Sequence, residues 1–268
     1  MQFQLIRSKE HIPLKKEKNL HTWIGVFIVI FITFATGYLT EFDVKKAVLA
    51  MPGIFKFIAT DFLPPDITAA PKFMSSLMDT FYMAFISTIT GALISLILAL
   101  LCASPTSPNR AVEFIIRAFA SALRNIPSLA WTIILVPAFG IGKTVGLMAL
   151  LIGAIGSMTR FFTETIEEVD LGNIEAIRSV GGSYWQVLKS GVLPQCYPGL
   201  IAWTLYNFEL GIRASTIIGM VGGGGIGFFI QSTIKLFQYD QAMMAVIVVA
   251  VVVLIVEAAS KKIREQIM

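Results

Sequence analysis

Apolar runs of membrane-spanning length constrain this chain more than any other feature. Residues 22 to 40, 72 to 103, 145 to 165, 194 to 218 and 240 to 259 are predominantly apolar, and each is close to or beyond the ~20 residues that cross a bilayer as a helix. A further segment starts near Arg110, passes Arg117 and Arg124 to Pro127, and continues as the apolar stretch Leu129 to Phe139. Hydrocarbon offers no water to backbone N–H and C=O groups, so only helices and closed barrels span it. The expected fold is therefore an all-α polytopic membrane protein with about six transmembrane helices. Composition agrees: 56% of the 268 residues are hydrophobic and 14% charged, where a soluble domain carries about 25% charged. The net charge of +4 needs no nucleic acid partner, because cytoplasmic loops of membrane proteins retain Lys and Arg.

The same rule orients the chain. Arg7, Lys9, Lys15, Lys16 and Lys18 make residues 1 to 21 a basic tail, expected in the cytoplasm. No cleavable signal peptide is expected, since the first apolar run follows that charged tail and is long enough to span. Residues 22 to 40 form the first helix, with Trp23 and Tyr38 as interface anchors. In residues 41 to 73, Val44, Ala47, Val48, Met51, Phe55 and Ile58 recur at helical spacing, predicting a helix along the outer interface, kinked at Pro52 and Gly53. Phe62-Leu-Pro-Pro-Asp66 leaves it, because paired prolines force extended backbone. Residues 74 to 262 form the core, and Ser104 to Pro108 a turn within it. Six crossings return residues 263 to 268 to the cytoplasm, where Lys261, Lys262 and Arg264 agree.

Between the fourth and fifth runs lies a polar island, Asn173 to Pro194, with its own punctuation. Asn173 is the expected N-cap of a helix over Ile174 to Val180. Gly181 and Gly182 stop it, since glycine accepts the left-handed conformation of a helix end. Ser183 and Gln186 have capping-box spacing and restart it. Gly191 is expected to end this second helix, and Pro194 to sit in the first turn of the next. The product is a pair of short helices outside the bilayer, at residues 173 to 191.

Two glycine patterns imitate nucleotide sites. Gly142-Lys143-Thr144 resembles the end of a phosphate-binding loop, but the required earlier glycine position holds Pro137; Lys143 is expected in a short outer loop. The break Gly219 to Gly227 contains Gly222-Gly-Gly224-Gly-Ile-Gly227, which matches a dinucleotide fingerprint without the βαβ unit that gives it meaning. The alternatives there are close packing or a hinge, and a gate lining the transport path. Glu209 and Arg213 stand one turn apart inside the fifth run. Charge in hydrocarbon is costly and tends to face a bundle interior or a water-filled path. The pair is thus either self-neutralising or a source of cation character for an anion path, with Arg124 a second candidate. Arg110 and Arg117 are expected on the cytoplasmic surface, and Glu167, Glu168 and Asp170 on a solvated face. Cys102 and Cys196 form no disulfide or metal framework, and His11 and His21 have no ligating partners. No metal, cofactor or hydrolytic constellation is expected.

Glu175-Ala176-Ile177, Gly181 and Leu193-Pro194 resemble the cytoplasmic signature of ABC-importer permeases. Phe62-Leu63-Pro64-Pro65-Asp66, Arg124-Asn125-Ile126-Pro127, Phe162 to Asp170, Leu205 to Glu209 with Ile212-Arg213, and Gly219 to Gly227 resemble elements of phosphonate ABC-transporter permeases. Two departures are Gly211, where that family has asparagine, and Gly223, where it has alanine. The resemblance implies a type I ABC importer permease fold in the bacterial inner membrane. It implies that Glu175, Ala176, Gly181, Gly182, Leu193 and Pro194 couple to a separate cytoplasmic ATPase subunit. It also implies an extracytoplasmic substrate-binding protein, a second permease copy or paralogue, and import of phosphonate, phosphite or phosphate. Arg124, Glu209, Arg213, Gly222, Gly224 and Gly227 are the expected translocation residues. The rival expectation is a stand-alone secondary transporter or channel for a small anion, which has no use for a paired coupling helix.

Overall fold

A computed structural model of the chain describes residues 19–40 and 43–267. The basic tail falls almost wholly outside them. The described chain is helical and separates into two compact units, divided between Phe57 and Ile58.

The first unit holds α1, Asn19–Leu39, and α2, Val44–Phe57. Thr33, Thr36 and Thr40 sit in and just after α1, each spending its hydroxyl on the carbonyl one turn back. Asp43 caps α2, its carboxylate accepting from the Lys46 N–H at 3.0 Å. α2 continues past Pro52 and Gly53 to Phe57.

The second unit begins with a π-helical turn, Ile58–Phe62. The proline pair then leaves the helix, and Asp66 caps a short turn by accepting from the Thr68 N–H at 2.9 Å. The Thr68 hydroxyl also donates to that carboxylate and holds its pKa below the ordinary value. α3 follows, Ala70–Cys102, then α4, Arg110–Asn125, α5, Ser128–Phe139, and α6, Lys143–Glu167. Next come α7, Leu171–Ser179, and one turn of α8, Tyr184–Gln186, which runs through a π-helical stretch, Val187–Val192, into α9, Leu193–Ile218. α10, Gly225–Lys235, and α11, Tyr239–Ile267, complete the unit.

α6 is the axis of the bundle, packed on α3, α4, α5 and α9. Small residues bring the helices close: a methyl at Gly91 would lie 2.9 Å from Ala154 Cβ, and one at Gly156 would lie 2.8 Å from the Arg124 backbone nitrogen. One apolar core at the α7 end joins Ala99, Met158, Phe162, Ile166, Ile174, Val187, Leu188 and Val192. At the opposite end Phe73, Ile226 and Ile230 form another.

Among the described residues four helices are long and apolar enough to cross a membrane, and six spans result if each of two bent pairs counts once. The third crossing is one such pair: α4 and α5 meet at 84° around Pro127. α5 has 12 residues, hence ~18 Å of rise, less than the ~30 Å of hydrocarbon. The third crossing is therefore sharply bent, with the amphipathic α4 turned away from the direction of the apolar α5.

The structure corrects several local expectations. Asp170, not Asn173, caps the first short helix, accepting from the Gly172 N–H at 2.9 Å. Gly191 does not end the second; it is buried in the π-helical stretch, where a methyl would come within 3.1 Å of Ile177 Cδ1. Lys143 is the first residue of α6, not part of a loop. The glycine break is shorter than the expected Gly219 to Gly227: non-helical backbone begins at Val221 and ends with positive φ at Gly224 and Gly225, and Ile226 and Gly227 already belong to α10. α11 runs past residue 259, where the sixth apolar run was expected to end, and through Lys261, Lys262 and Arg264.

Candidate functional site

The helical pair is built as a rigid knob on the bundle. Gly181 adopts φ +80°. Its N–H reaches the Arg178 carbonyl at 3.0 Å, and the Gly182 N–H reaches the Ile177 carbonyl at 2.9 Å. Those two bonds form a Schellman closure of α7. A methyl at Gly182 would fall 2.6 Å from the Ile177 carbonyl oxygen, whereas one at Gly181 would meet nothing within 4 Å. Ser183 and Gln186 form the expected capping box, with the Ser183 N–H bonded to Gln186 Oε1 at 2.7 Å. Ile174, Val187 and Leu188 anchor the pair inward. Glu175, Ala176 and Gly181 face outward with Val180, 84% exposed, and Trp185, 75% exposed. Leu193 and Pro194 lie just beyond, at the start of α9.

A polar network ties this knob to the α3–α4 turn. Arg178 donates to the Pro105 carbonyl at 3.2 Å, and the Tyr184 hydroxyl donates to the Thr106 carbonyl at 3.0 Å. Behind the turn, Glu167 accepts from the Ser104 hydroxyl at 2.9 Å and from Arg117 at 2.5 Å; Arg117 also lies 3.2 Å from Glu113. Arg117 and Glu167 are therefore structural linkers, not plain surface charges, and Asp170 is a cap.

Glu209 and Arg213 do form an ion pair within α9. Glu209 is 6% exposed, while the Arg213 side chain is 44% exposed and also approaches Glu257 of α11 at 3.6 Å. The cluster is thus two carboxylates around one guanidinium. Glu257 was missed in the sequence, although an acid inside the last apolar run was the signal that could have found it. Nearby, Asn207 donates to the Ser157 hydroxyl at 3.0 Å and links α9 to α6.

The glycine break lies at the end of α9 and α6 opposite the helical pair. Gly222 and Gly224 have φ +106° and +76°, and the Gly142 N–H donates to the Gly222 carbonyl at 2.8 Å. The Ile226 N–H donates to the Thr80 hydroxyl at 2.8 Å. A methyl at Gly227 would overlap the Thr216 carbonyl oxygen, and one at Gly146 would overlap the Gly223 carbonyl oxygen. At Gly146 and Gly227 the neighbouring backbone leaves no room for a side chain. Lys143, beside the break, pairs with Asp79 at 3.1 Å.

Arg124 lies apart from both. It lines a cavity of about 300 Å³ between α4 and α6, together with Cys102, Arg117, Ser121, Thr159, Arg160 and Glu164. The expected translocation residues are therefore distributed over three places. Among the described residues no cluster of His, Cys, Asp and Glu could hold a metal ion.

Residues 91–262 match the family of binding-protein-dependent transport system inner membrane components. The phosphite transport system permease protein PtxC of Stutzerimonas stutzeri is 33% identical over 262 residues, covering 96% of this chain and 94% of that protein. The phosphate-import permease protein PhnE of Mycolicibacterium smegmatis is 35% identical over 212 residues, which is 79% of this chain and 40% of that longer protein. Among solved structures, the inward-facing MetNI methionine ABC transporter matches with a TM-score of 0.66 at 22% identity, covering 73% of this chain and 95% of that one.

Proposed function

The chain belongs to the binding-protein-dependent transport system inner membrane components, and from that membership we propose that it is the permease subunit of an ATP-driven importer for a phosphorus oxyanion. It is a multi-pass protein of the bacterial inner membrane. The likeness to a phosphite permease along 96% of the chain carries this reading; phosphite, phosphate and phosphonates are the substrates to test.

The outward face of the helical pair offers Glu175, Ala176, Val180 and Trp185 around the Gly181 turn, a surface suited to the cleft of a separate ATPase subunit. Gly181 carries no side chain, so the turn can approach that subunit closely. The ion network behind it transmits displacement to α3, α4 and α6. Closure of the ATPase subunits then moves packed helices as rigid bodies and exchanges access between the two membrane faces. This chain hydrolyses no ATP itself, and Gly142 and Lys143 serve packing and the start of α6. A binding protein delivers substrate from outside, and a second permease copy completes the path. The transport core comprises residues 74 to 262, with residues 1 to 21 and 263 to 268 cytoplasmic. Arg124, Glu209 and Arg213 lie along the path, and the break at Gly222, Gly224 and Gly227 contributes to its outer gate.

Reconstitution of the chain with its cognate ATPase subunit and binding protein tests this. Loaded binding protein should stimulate ATP hydrolysis, and labelled phosphite, phosphate or methylphosphonate should accumulate. Uptake without an ATPase subunit, or none of the three anions accumulating, would overturn it.

A further inference from the structure

The arginine-lined cavity between α4 and α6 has features that its neighbours' structural needs do not use. Three guanidiniums line it. Arg117 is held by Glu167 and Glu113, and Arg160 donates to Glu164 at 2.6 Å. The Arg124 side chain has no ion pair or hydrogen bond among the described residues. This distinguishes it from Arg213, which sits between two carboxylates.

A second observation concerns the wall. Hydroxyls on α6 bond one turn back: Ser157 to Gly153 at 2.9 Å, Thr163 to Thr159 at 2.7 Å, and Thr165 to Phe161 at 2.9 Å. Thr159, between them, is the exception. It is 1% exposed, and its hydroxyl has no partner. The carbonyl it would ordinarily use, that of Ile155, already accepts from Ser95 of α3 at 3.3 Å. A buried hydroxyl without a partner is destabilising, and Thr159 lines the same cavity as Arg124.

The elbow fixes this geometry. The α4 backbone at Arg124 packs closely on Gly156, and Ser128 of α5 packs closely on Gly153, which sets the elbow against the α6 face that carries Thr159 and Arg160. The cavity volume of about 300 Å³ is several times the ~30 Å³ share of one water molecule, enough for a tetrahedral oxyanion. Thr159 lies eight residues before the end of α6, ~12 Å along the axis from the helical pair.

We infer that this cavity is an oxyanion subsite at the coupling end of the bundle, with Arg124 as its principal cation, Thr159 as a hydroxyl donor and Arg160 as a cation shared with Glu164. The anion class, a phosphorus oxyanion, rests on the importer reading above. The guanidinium of Arg124 supplies the paired donors that such an anion accepts. Glu164 limits the affinity, so the anion can leave.

The test uses the full chain in lipid nanodiscs. Cys102→Ala and Cys196→Ala remove the native thiols, and Ser121→Cys places a reporter at the cavity rim. Alkylation of that thiol is timed with millimolar phosphate, phosphite or methylphosphonate, and with chloride at equal ionic strength. At least one phosphorus anion should slow alkylation several-fold, and chloride should not. Arg124→Gln should raise the half-protecting concentration by about tenfold, the scale of one charge-assisted hydrogen bond. Thr159→Val should raise it less, and Thr159→Ser should leave it unchanged. No protection by any of the three anions, protection by chloride alone, or protection indifferent to Arg124→Gln would overturn the subsite. The assay needs no transport, so failed uptake with intact protection would refute the importer reading alone.

Discussion

Arg178 of the helical pair donates to the Pro105 carbonyl in the α3–α4 turn at 3.2 Å. With the Tyr184–Thr106 bond, this joins the proposed docking surface to the turn in front of α4. Each bond is worth about 1 kcal/mol net, too little to decide folding and enough to loosen a mechanical link. Arg178→Ala with Tyr184→Phe should leave membrane levels unchanged while lowering uptake per ATP hydrolysed by severalfold. An unchanged ratio of transport to hydrolysis would show that the link lies elsewhere.

Gly181→Leu should separate folding from docking. A side chain in the left-handed region costs roughly 1–2 kcal/mol, and the surrounding space is open within the chain. The variant should therefore reach the membrane at near-normal levels. It should fail to bind the ATPase subunit in co-purification, and ATP hydrolysis should no longer respond to loaded binding protein. Normal stimulation would remove Gly181 from the docking surface.

The Glu209–Arg213–Glu257 cluster makes charge and geometry separable. Arg213→Lys keeps the charge and loses the planar fork, so part of the uptake should remain. Arg213→Gln should abolish most uptake in a complex that still assembles. If uptake instead returns when Glu209→Gln is combined with Arg213→Gln, the arginine serves only as an ion-pair partner. Glu257→Gln, on an exposed side chain, should change uptake by less than about twofold.

The glycine break offers a stability test. Gly227→Ala places a methyl against the Thr216 carbonyl oxygen, and overpacking of this kind costs about 1–3 kcal/mol. Its folded yield should fall and its melting temperature drop in detergent. Gly25→Ala, with nothing within 4 Å, should leave both unchanged.

Topology is testable directly. Reporter fusions at Ser183 and Asp66 should report opposite faces, with Ser183 cytoplasmic. The same face for both would refute the crossing pattern between them.

The sequence by itself determined the class and the linear order of this protein. Apolar runs beyond span length admit few alternatives to helices, so α3, α6, α9 and α11 begin within a few residues of their expected positions. The helical pair was legible because Gly181 and the Ser183–Gln186 box act within a few residues of themselves. The Glu209–Arg213 pair was legible for the same reason, as helix periodicity places them one turn apart.

What the tertiary structure decided involves partners distant in sequence. Glu257 reaches Arg213 from another helix, and neither residue's local pattern states that distance. The glycines of the break looked alike in sequence, but their neighbours assign Gly227 to Thr216 and Gly222 to Gly142. The 84° elbow at Pro127 made the third crossing a sharply bent pair of helices. That placed Arg124 on the face of α6 where Thr159 has lost its carbonyl to Ser95. Local hydrogen-bond rules write helices and caps into a sequence; which unspent donors come to share one cavity depends on how the helices pack.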